Sequence, residues 1–141
     1  MRQHRLLAIG LSAFLGCAAS FSVAAAQAKT PTQTYLDYQA TVTKATTLTE
    51  PLPYLSAAYR RMLESRPKAD QPVWLGRLKE AVMKDVKVTK ETIAGTNGNA
   101  CTLEATGTSA SGNAMKGKIS LVKEGGAWKL DEQGWSTGKG A

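Results

Sequence analysis

The sequence is poor in the residue types that build many catalytic and metal sites. Its 141 residues include a single histidine, His4, and two cysteines, Cys17 and Cys101. His4 and Cys17 lie in an N-terminal segment that we expect to be removed. The remaining chain then has no histidine for a nucleophilic triad and no partner for a disulfide of Cys101. Only carboxylates are left as metal ligands, and no loop gathers them densely, so we predict no metal.

Glycine-rich phosphate loops in front of a helix are also lacking, since the glycines cluster in short turns between apolar runs. We therefore predict no nucleotide cofactor, and no cofactor of another kind is indicated. The sequence contains no recognisable catalytic motif, so we assign no catalytic residue.

Residues 1–28 have the pattern of an export signal. A short basic start precedes an apolar run of 11 residues, Leu6 to Gly16, and Ala26-Gln27-Ala28 supplies the small-x-small cleavage pattern. A transmembrane helix needs about 20 apolar residues, and no later segment approaches that length. We therefore expect a mature chain that begins near Lys29, has no transmembrane span and is periplasmic or secreted.

Lipidation at Cys17 is the alternative to simple secretion. Leu15-Gly16-Cys17 ends the apolar run, where a bacterial lipoprotein is cut and acylated, although Phe14 stands where such sites usually carry Leu. Acylation of Cys17 would anchor the protein in the cell envelope without altering the folded domain.

Apolar residues recur with helical spacing over the first half of the remaining chain. Thr30-Pro31-Thr32-Gln33 is a capping-box pattern, and Tyr35, Tyr38 and Val42 follow at spacings of three and four. Ser56 is a candidate cap for a second helix, and Asp70 with Pro72 begins a third.

The spacing changes to two from Val86 onward, as in strands with one buried and one solvated face. Four alternating runs are separated by glycine-containing turns, the last of them Gly125-Gly126. We therefore predict an α+β domain over residues 29–135, in which three N-terminal helices pack on one face of a four-stranded antiparallel meander. Residues 136–141 are predicted to form a flexible tail.

Alternation also predicts which charges face solvent. It places four lysines on the solvated face of the sheet, together with Glu91, Glu104 and Asp131, so that cross-strand ion pairs account for much of the charge. Those lysines are Lys87, Lys116, Lys118 and Lys129. The full chain has a net charge of +7, and removal of residues 1–28 leaves 16 basic against 11 acidic residues. Anionic lipid headgroups or cell-wall polymers fit such a surface, whereas no nucleic-acid-binding motif is present.

Three segments in order resemble a known superfamily. They are Pro53-Tyr54-Leu55-Ser56, Val86 to Glu91, and the closing Leu121 to Asp131, which contains Lys-Glu-Gly-Gly-Ala-Trp-Lys-Leu-Asp. The chain resembles small exported bacterial proteins of the nuclear-transport-factor-2-like superfamily, over essentially residues 30–135. The resemblance implies a cystatin-like α+β cone around an apolar pocket. Members include isomerases, dehydratases, binding proteins and dimerisation modules, so the fold implies no particular chemistry.

Aromatic side chains are the candidates for the lining of such a pocket, although packing between helices and sheet alone also accounts for them. From the seven tyrosines and tryptophans of the predicted domain we select Tyr35, Tyr38, Tyr59, Trp74 and Trp128. Cys101 shares a strand face with Leu103, which favours a buried apolar role over a reactive or dimer-forming thiol.

We therefore expect a non-enzymatic exported envelope protein that binds a small apolar ligand or a partner protein in an aromatic-lined cone. A structural or dimerisation module, lipid-anchored at Cys17 and homodimeric through its sheet, is the alternative. An isomerase- or dehydratase-type enzyme, with an inward tyrosine or Asp37 as acid–base group, is a third hypothesis.

Overall fold

Three helices precede four strands in residues 27–138, the part of the chain that the computed structural model describes. The helices are α1 (Pro31–Lys44), α2 (Ala57–Glu64) and α3 (Gln71–Glu80), with short 3₁₀ turns at Leu52–Tyr54, Lys68–Asp70 and Thr96–Gly98. The strands are β1 (Lys84–Ala94), β2 (Ala100–Thr108), β3 (Ala114–Glu124) and β4 (Ala127–Thr137). The α+β class, the three helices and the four-stranded antiparallel sheet are as the sequence predicts.

Helix α1 begins at the predicted capping box. The Thr30 side chain accepts a hydrogen bond from the Gln33 backbone N–H, and the Gln33 side chain accepts one from the Thr30 backbone N–H, both at 3.1 Å. Pro31 occupies the first turn, where its missing N–H costs nothing. The start of α1 therefore places Tyr35, Tyr38 and Val42 on its fully buried face.

The strands form a meander in the order β1-β2-β3-β4, each antiparallel to the next. At the β3–β4 turn both Gly125 and Gly126 have positive φ, +57° and +80°, which other residues adopt only with strain. Strand β4 runs to Thr137, two residues into the segment that the sequence assigns to the tail.

Glu91 faces the other side of the sheet from the one predicted, because β1 contains a bulge. The register shifts between the pairs Val88↔Ala105 and Lys90↔Glu104, which leaves Thr89 as the extra residue. Glu91 consequently pairs with Leu103, whose side chain is buried in the core. The prediction that Glu91 shares the solvated face with Glu104 is wrong, because the inserted residue reverses the direction of the side chains that follow it.

A second bulge, in β4, changes the environment of Asp131. The pairs Ser120↔Glu132 and Leu121↔Leu130 leave Asp131 as the extra residue, and its Oδ1 accepts a 2.7 Å hydrogen bond from Ser56 Oγ. Asp131 is exposed, as the sequence predicts, and its hydrogen bond joins β4 to Ser56, the cap of α2. Beyond the bulge, Gln133 pairs with Ile119 on the side of the sheet that faces the core.

One core unites helices and sheet. Its buried members come from all three helices, the segment between α1 and α2, and strands β2, β3 and β4: Tyr35, Tyr38, Val42, Ala45, Leu48, Leu55, Leu63, Leu75, Leu78, Cys101, Leu103, Ala105, Ile119, Leu121 and Leu130. The segment before α2 also joins the edge of β4, where Leu55 bridges Leu130 and the Ser56 N–H donates to the Leu130 carbonyl at 2.8 Å.

Two predictions concern residues outside those described. Residues 1–26 of the export signal predicted over 1–28, and the lipid attachment site at Cys17, lie there. Between residues 27 and 138, the helices are too short and too polar to cross a bilayer.

Candidate binding site

A cluster of polar side chains lies inside the core, between α1 and β4. Tyr35 Oη donates a hydrogen bond to Gln133 Oε1 at 3.0 Å and accepts one from Gln39 Nε2 at 2.7 Å. Gln39 Oε1 in turn accepts from the Met83 backbone N–H at 3.2 Å. Each link satisfies a polar group that burial would otherwise leave unpaired. The cluster therefore ties α1 to the start of β1 and to β4.

Two polar groups of the described residues are buried in the same region without a hydrogen-bond partner. They are the Tyr38 hydroxyl and the Trp135 indole nitrogen, Nε1. An unpaired buried donor costs about 1–3 kcal/mol. The interior therefore retains hydrogen-bonding capacity that the protein's own described side chains do not use.

Burial raises the pKa of three tyrosines and so favours their protonated form further. Desolvation raises the pKa of both Tyr35 and Tyr38 far above its usual value. It raises the pKa of Tyr59 as well. At neutral pH these hydroxyls are therefore protonated, so they can donate hydrogen bonds to a ligand but do not act as bases.

A row of aromatic rings leads from this cluster to the surface. The Tyr35 and Tyr38 rings are stacked with centroids 6.3 Å apart, and the Tyr38 and Tyr54 rings meet edge-on at 6.5 Å. Tyr54 and Trp128 then line the same cavity, which has a volume of about 190 Å³. The row thus connects a fully buried ring to one that a ligand can reach.

A second cavity of about 320 Å³ shares Lys29 and Tyr54 with the first. Lys29 donates to Asp37 Oδ2 at 2.5 Å, and this contact raises the pKa of Lys29. Lys123 lies over the Trp128 ring, with its Nζ 5.6 Å from the ring centroid. The opening is therefore an aromatic surface with ammonium groups at its margin.

The structure brings some of the predicted pocket residues together and separates others. Tyr35 and Tyr38 are in contact and have no exposed surface, whereas Trp128 lies at the cavity. Tyr59 and Trp74 are half-buried and pack against the core. The Trp74 ring is covered by the guanidinium groups of Arg66 and Arg77, at 4.6 and 4.7 Å from its centroid.

The structure also places the candidate acid–base residue Asp37, the thiol of Cys101 and the possible metal ligands. The Asp37 side chain is 44% exposed and engaged by Lys29. Cys101 is buried, and desolvation raises the pKa of its thiol to about 11, so the thiolate needed for nucleophilic attack is scarce at neutral pH. Within the described range, His, Cys, Asp and Glu side chains form no group of three or more that could hold a metal.

Sequence reasoning missed Gln39 and Gln133. Gln39 follows Tyr35 by four residues on α1, so helical spacing alone is a signal that could have found it. Gln133 lies beyond the β4 bulge, and simple alternation from Leu130 would have turned its side chain to solvent. Only the observed register identifies it as a partner of Tyr35.

Comparison with known proteins finds a similarity to a solved structure at low sequence identity. No protein-family model matches the chain, and no curated protein matches it either. It is similar to a protein from Campylobacter jejuni whose 2.00 Å crystal structure is named "Putative NTF2-like transpeptidase". The two chains are 10% identical, and the match covers 74% of this chain and 99% of that one with a TM-score of 0.47.

Proposed function

We propose that the protein is a non-enzymatic, exported envelope protein that binds a small apolar ligand in its aromatic cone. The observation that carries the proposal is the row of rings from Tyr35 through Tyr38 and Tyr54 to the cavity at Trp128. Ligand pockets are typically lined by aromatic side chains with a few convergent polar groups. Thr34 and Lys29 line the cavity with polar groups of that kind, and the unpaired Tyr38 hydroxyl belongs to the ring that meets Tyr54 edge-on.

The dimensions of the opening support a small ligand. The cavity at Trp128 holds about 190 Å³ and the cavity beside it, which shares Tyr54, about 320 Å³. Pockets for small molecules usually measure about 300–1,000 Å³. A ligand with one aromatic or alkyl group and one hydrogen-bond acceptor would pack on Tyr54 and Trp128 with its acceptor toward the interior.

The proposal also covers the packing of the helices on the sheet and the cellular location of the protein. Residues 1–28 would be a cleaved signal peptide, and the three helices would all cover one face of the sheet. Periplasmic or secreted protein would then meet its ligand outside the cytoplasm. A lipid anchor at Cys17 would hold the same domain in the envelope.

Native mass spectrometry of the protein recovered from its own cell envelope tests the proposal. We expect a reproducible mass above that of the bare protein, lost in W128A and retained in W74A, since both tryptophans are half-buried but only Trp128 lines the cavity. A bare wild-type protein, or equal retention by both variants, would contradict the proposal and favour the structural or dimerisation module.

A further inference from the structure

The face of the sheet turned away from the helices carries a concentration of lysines. The register places two neighbouring cross-strand rows on it, each running from β1 to β4. One row is Lys90, Glu104, Lys118 and Gly134, and the other is Lys87, Thr106, Lys116 and Ser136. All eight residues are exposed. We call the four lysines of these rows, Lys87, Lys90, Lys116 and Lys118, the basic face.

Ion pairing leaves most of this charge unneutralised. Glu104 is the one acidic residue in the two rows, and its Oε1 lies 3.8 Å from Lys90 Nζ, with both side chains more than half exposed. Exposed pairs of this kind contribute little. Four lysines against one glutamate leave the two rows with a charge of +3, a substantial part of the net +7 of the whole sequence.

A shallow depression lies on this face between two of the lysines. Lys116, Lys118, Gly134 and Ser136 surround it, with Gly117 and Trp135 completing the lining, and its volume is about 360 Å³. Gly134 leaves the depression open, since nothing lies within 4 Å of where its Cβ would be. Consecutive outward residues of one strand are about 7 Å apart, so Lys116 and Lys118 can reach one anionic group between them.

The composition of the face argues against a second copy of this chain or an apolar partner. The other positions of the two rows hold Glu104, Thr106, Gly134 and Ser136, so there is no large apolar side chain in the two rows to bury. A two-fold contact would set Lys116 and Lys118 of one copy against the same face of the other. Like charges directly opposed destabilise such a contact.

We propose that the basic face docks on an anionic phospholipid surface. All four lysines are exposed on one face of the sheet, so their ammonium groups can approach one bilayer surface, and the depression at Gly134 accepts a lipid phosphate. Each lysine near an anionic bilayer contributes roughly a fivefold gain in partitioning. This docking depends on the outer face of the sheet and is independent of any ligand in the cone.

Co-sedimentation with vesicles tests the proposal. The purified chain without residues 1–28 is mixed with vesicles of phosphatidylcholine alone or with a third of phosphatidylglycerol, over a range of salt concentrations. We expect binding to the anionic vesicles only, weakening steeply as salt increases. Equal binding to both vesicle types, or none to either at low salt, would overturn the proposal.

Paired variants assign the binding to this face. The double change K116S/K118S should lower partitioning roughly 30-fold. K68S/K79S removes the same charge from exposed lysines that line a different cavity, beside α3, and should lower it far less. Equal losses in the two double variants would mean that overall charge rather than the basic face is responsible.

A variant expected to bind more tightly is a useful control, because misfolding can lower binding but does not raise it. E104Q removes the one carboxylate from the two rows and should raise partitioning about fivefold. Unchanged binding by E104Q would contradict the proposal. A soluble polyphosphate bound in preference to the anionic vesicles would show that the face takes a phosphate polymer instead of a lipid surface.

Discussion

Two neighbouring tyrosines on one helix show how burial alone leaves the role of a side chain open. Tyr35 and Tyr38 are both without exposed surface and stack on each other. The Tyr35 hydroxyl bonds to Gln39 and Gln133, whereas the Tyr38 hydroxyl has no partner among the described residues. The same functional group is therefore expected to stabilise the fold at one position and not at the other.

Replacing each tyrosine by phenylalanine separates these roles. Y35F should lower the free energy of unfolding by about 1–3 kcal/mol, because it leaves buried amide groups of Gln39 and Gln133 unpaired. Y38F should change it by less than about 0.5 kcal/mol, or stabilise the protein, because it removes an unpaired hydroxyl. Urea denaturation measures both, and equal losses would show that the Tyr38 hydroxyl is bonded in solution.

Cys101 should behave as a protected thiol. It is 2% exposed, and burial raises its pKa from about 9 to about 11. Alkylation by iodoacetamide at pH 8 should therefore be slow in the native protein and fast in denaturant. Because the folded pKa lies above the unfolded value, the contribution to stability is complete below pH 9 and is lost as the pH rises toward 11. Fast native labelling, or a disulfide-linked dimer, would contradict this prediction.

At the scale of elements, the strands supply the acids that satisfy helix N-termini. Glu91 of β1 accepts hydrogen bonds from the backbone N–H and the hydroxyl of Thr32 in the first turn of α1. Glu124 of β3 accepts from the Ala57 N–H at the start of α2. A carboxylate at these positions accepts hydrogen bonds from free N–H groups and interacts favourably with the positive end of the helix dipole.

A matched pair of changes tests this arrangement. E91Q keeps the hydrogen-bond acceptor but removes its charge, and it should cost about 0.3–1 kcal/mol of stability, less at high salt. E104Q, on the opposite face of the sheet and far from any helix terminus, should change stability by less than about 0.5 kcal/mol. Thermal or urea unfolding of both variants gives the comparison, and identical effects would argue against capping by Glu91.

Two glycines on adjoining strands give a test of packing against the sheet. A Cβ at Gly117 would lie 2.7–2.8 Å from three atoms of the Trp135 ring, so G117A should cost about 1–3 kcal/mol. Gly134 has nothing within 4 Å of its would-be Cβ, and G134A should be neutral within about 0.5 kcal/mol. Unfolding free energies that fail to differ would mean that the Trp135 ring moves aside readily.

At the scale of the whole molecule, helices and sheet depend on one shared core. The buried faces of α1 and of strands β2, β3 and β4 contribute to the same cluster, and Leu55 joins the segment before α2 to β4. The basic face lies on the other side of the sheet, so its lysines can be changed without disturbing that core. The proposed ligand binding and the proposed docking by the basic face are thus separable experimentally.

Export is a prediction about the whole chain. Expression of the full sequence in a Gram-negative bacterium should yield a periplasmic protein whose intact mass corresponds to cleavage after Ala28. A membrane-associated product that begins at an acylated Cys17 would establish lipidation instead. Uncleaved protein in the cytoplasm would contradict both forms of the proposal.

Much of the fold follows from local pattern. The capping box at Thr30 predicts the start of α1 because its hydrogen bonds join residues only three apart. The Gly125-Gly126 turn predicts the last hairpin because few residues other than glycine tolerate positive φ there. The α+β class and the succession of three helices and four strands were therefore determined by the sequence without knowledge of tertiary contacts.

Tertiary structure alone decided which side chains meet. The bulges at Thr89 and Asp131 turn Glu91 toward α1 and Gln133 toward Tyr35, and no turn residue or alternation marks either of them in the sequence. A bulge is stable where an inserted residue improves pairing and packing with a neighbouring element, which is a property of two distant segments together. For that reason the sequence determined the elements and the aromatic character of the site, whereas the assembled sheet determined its polar contacts.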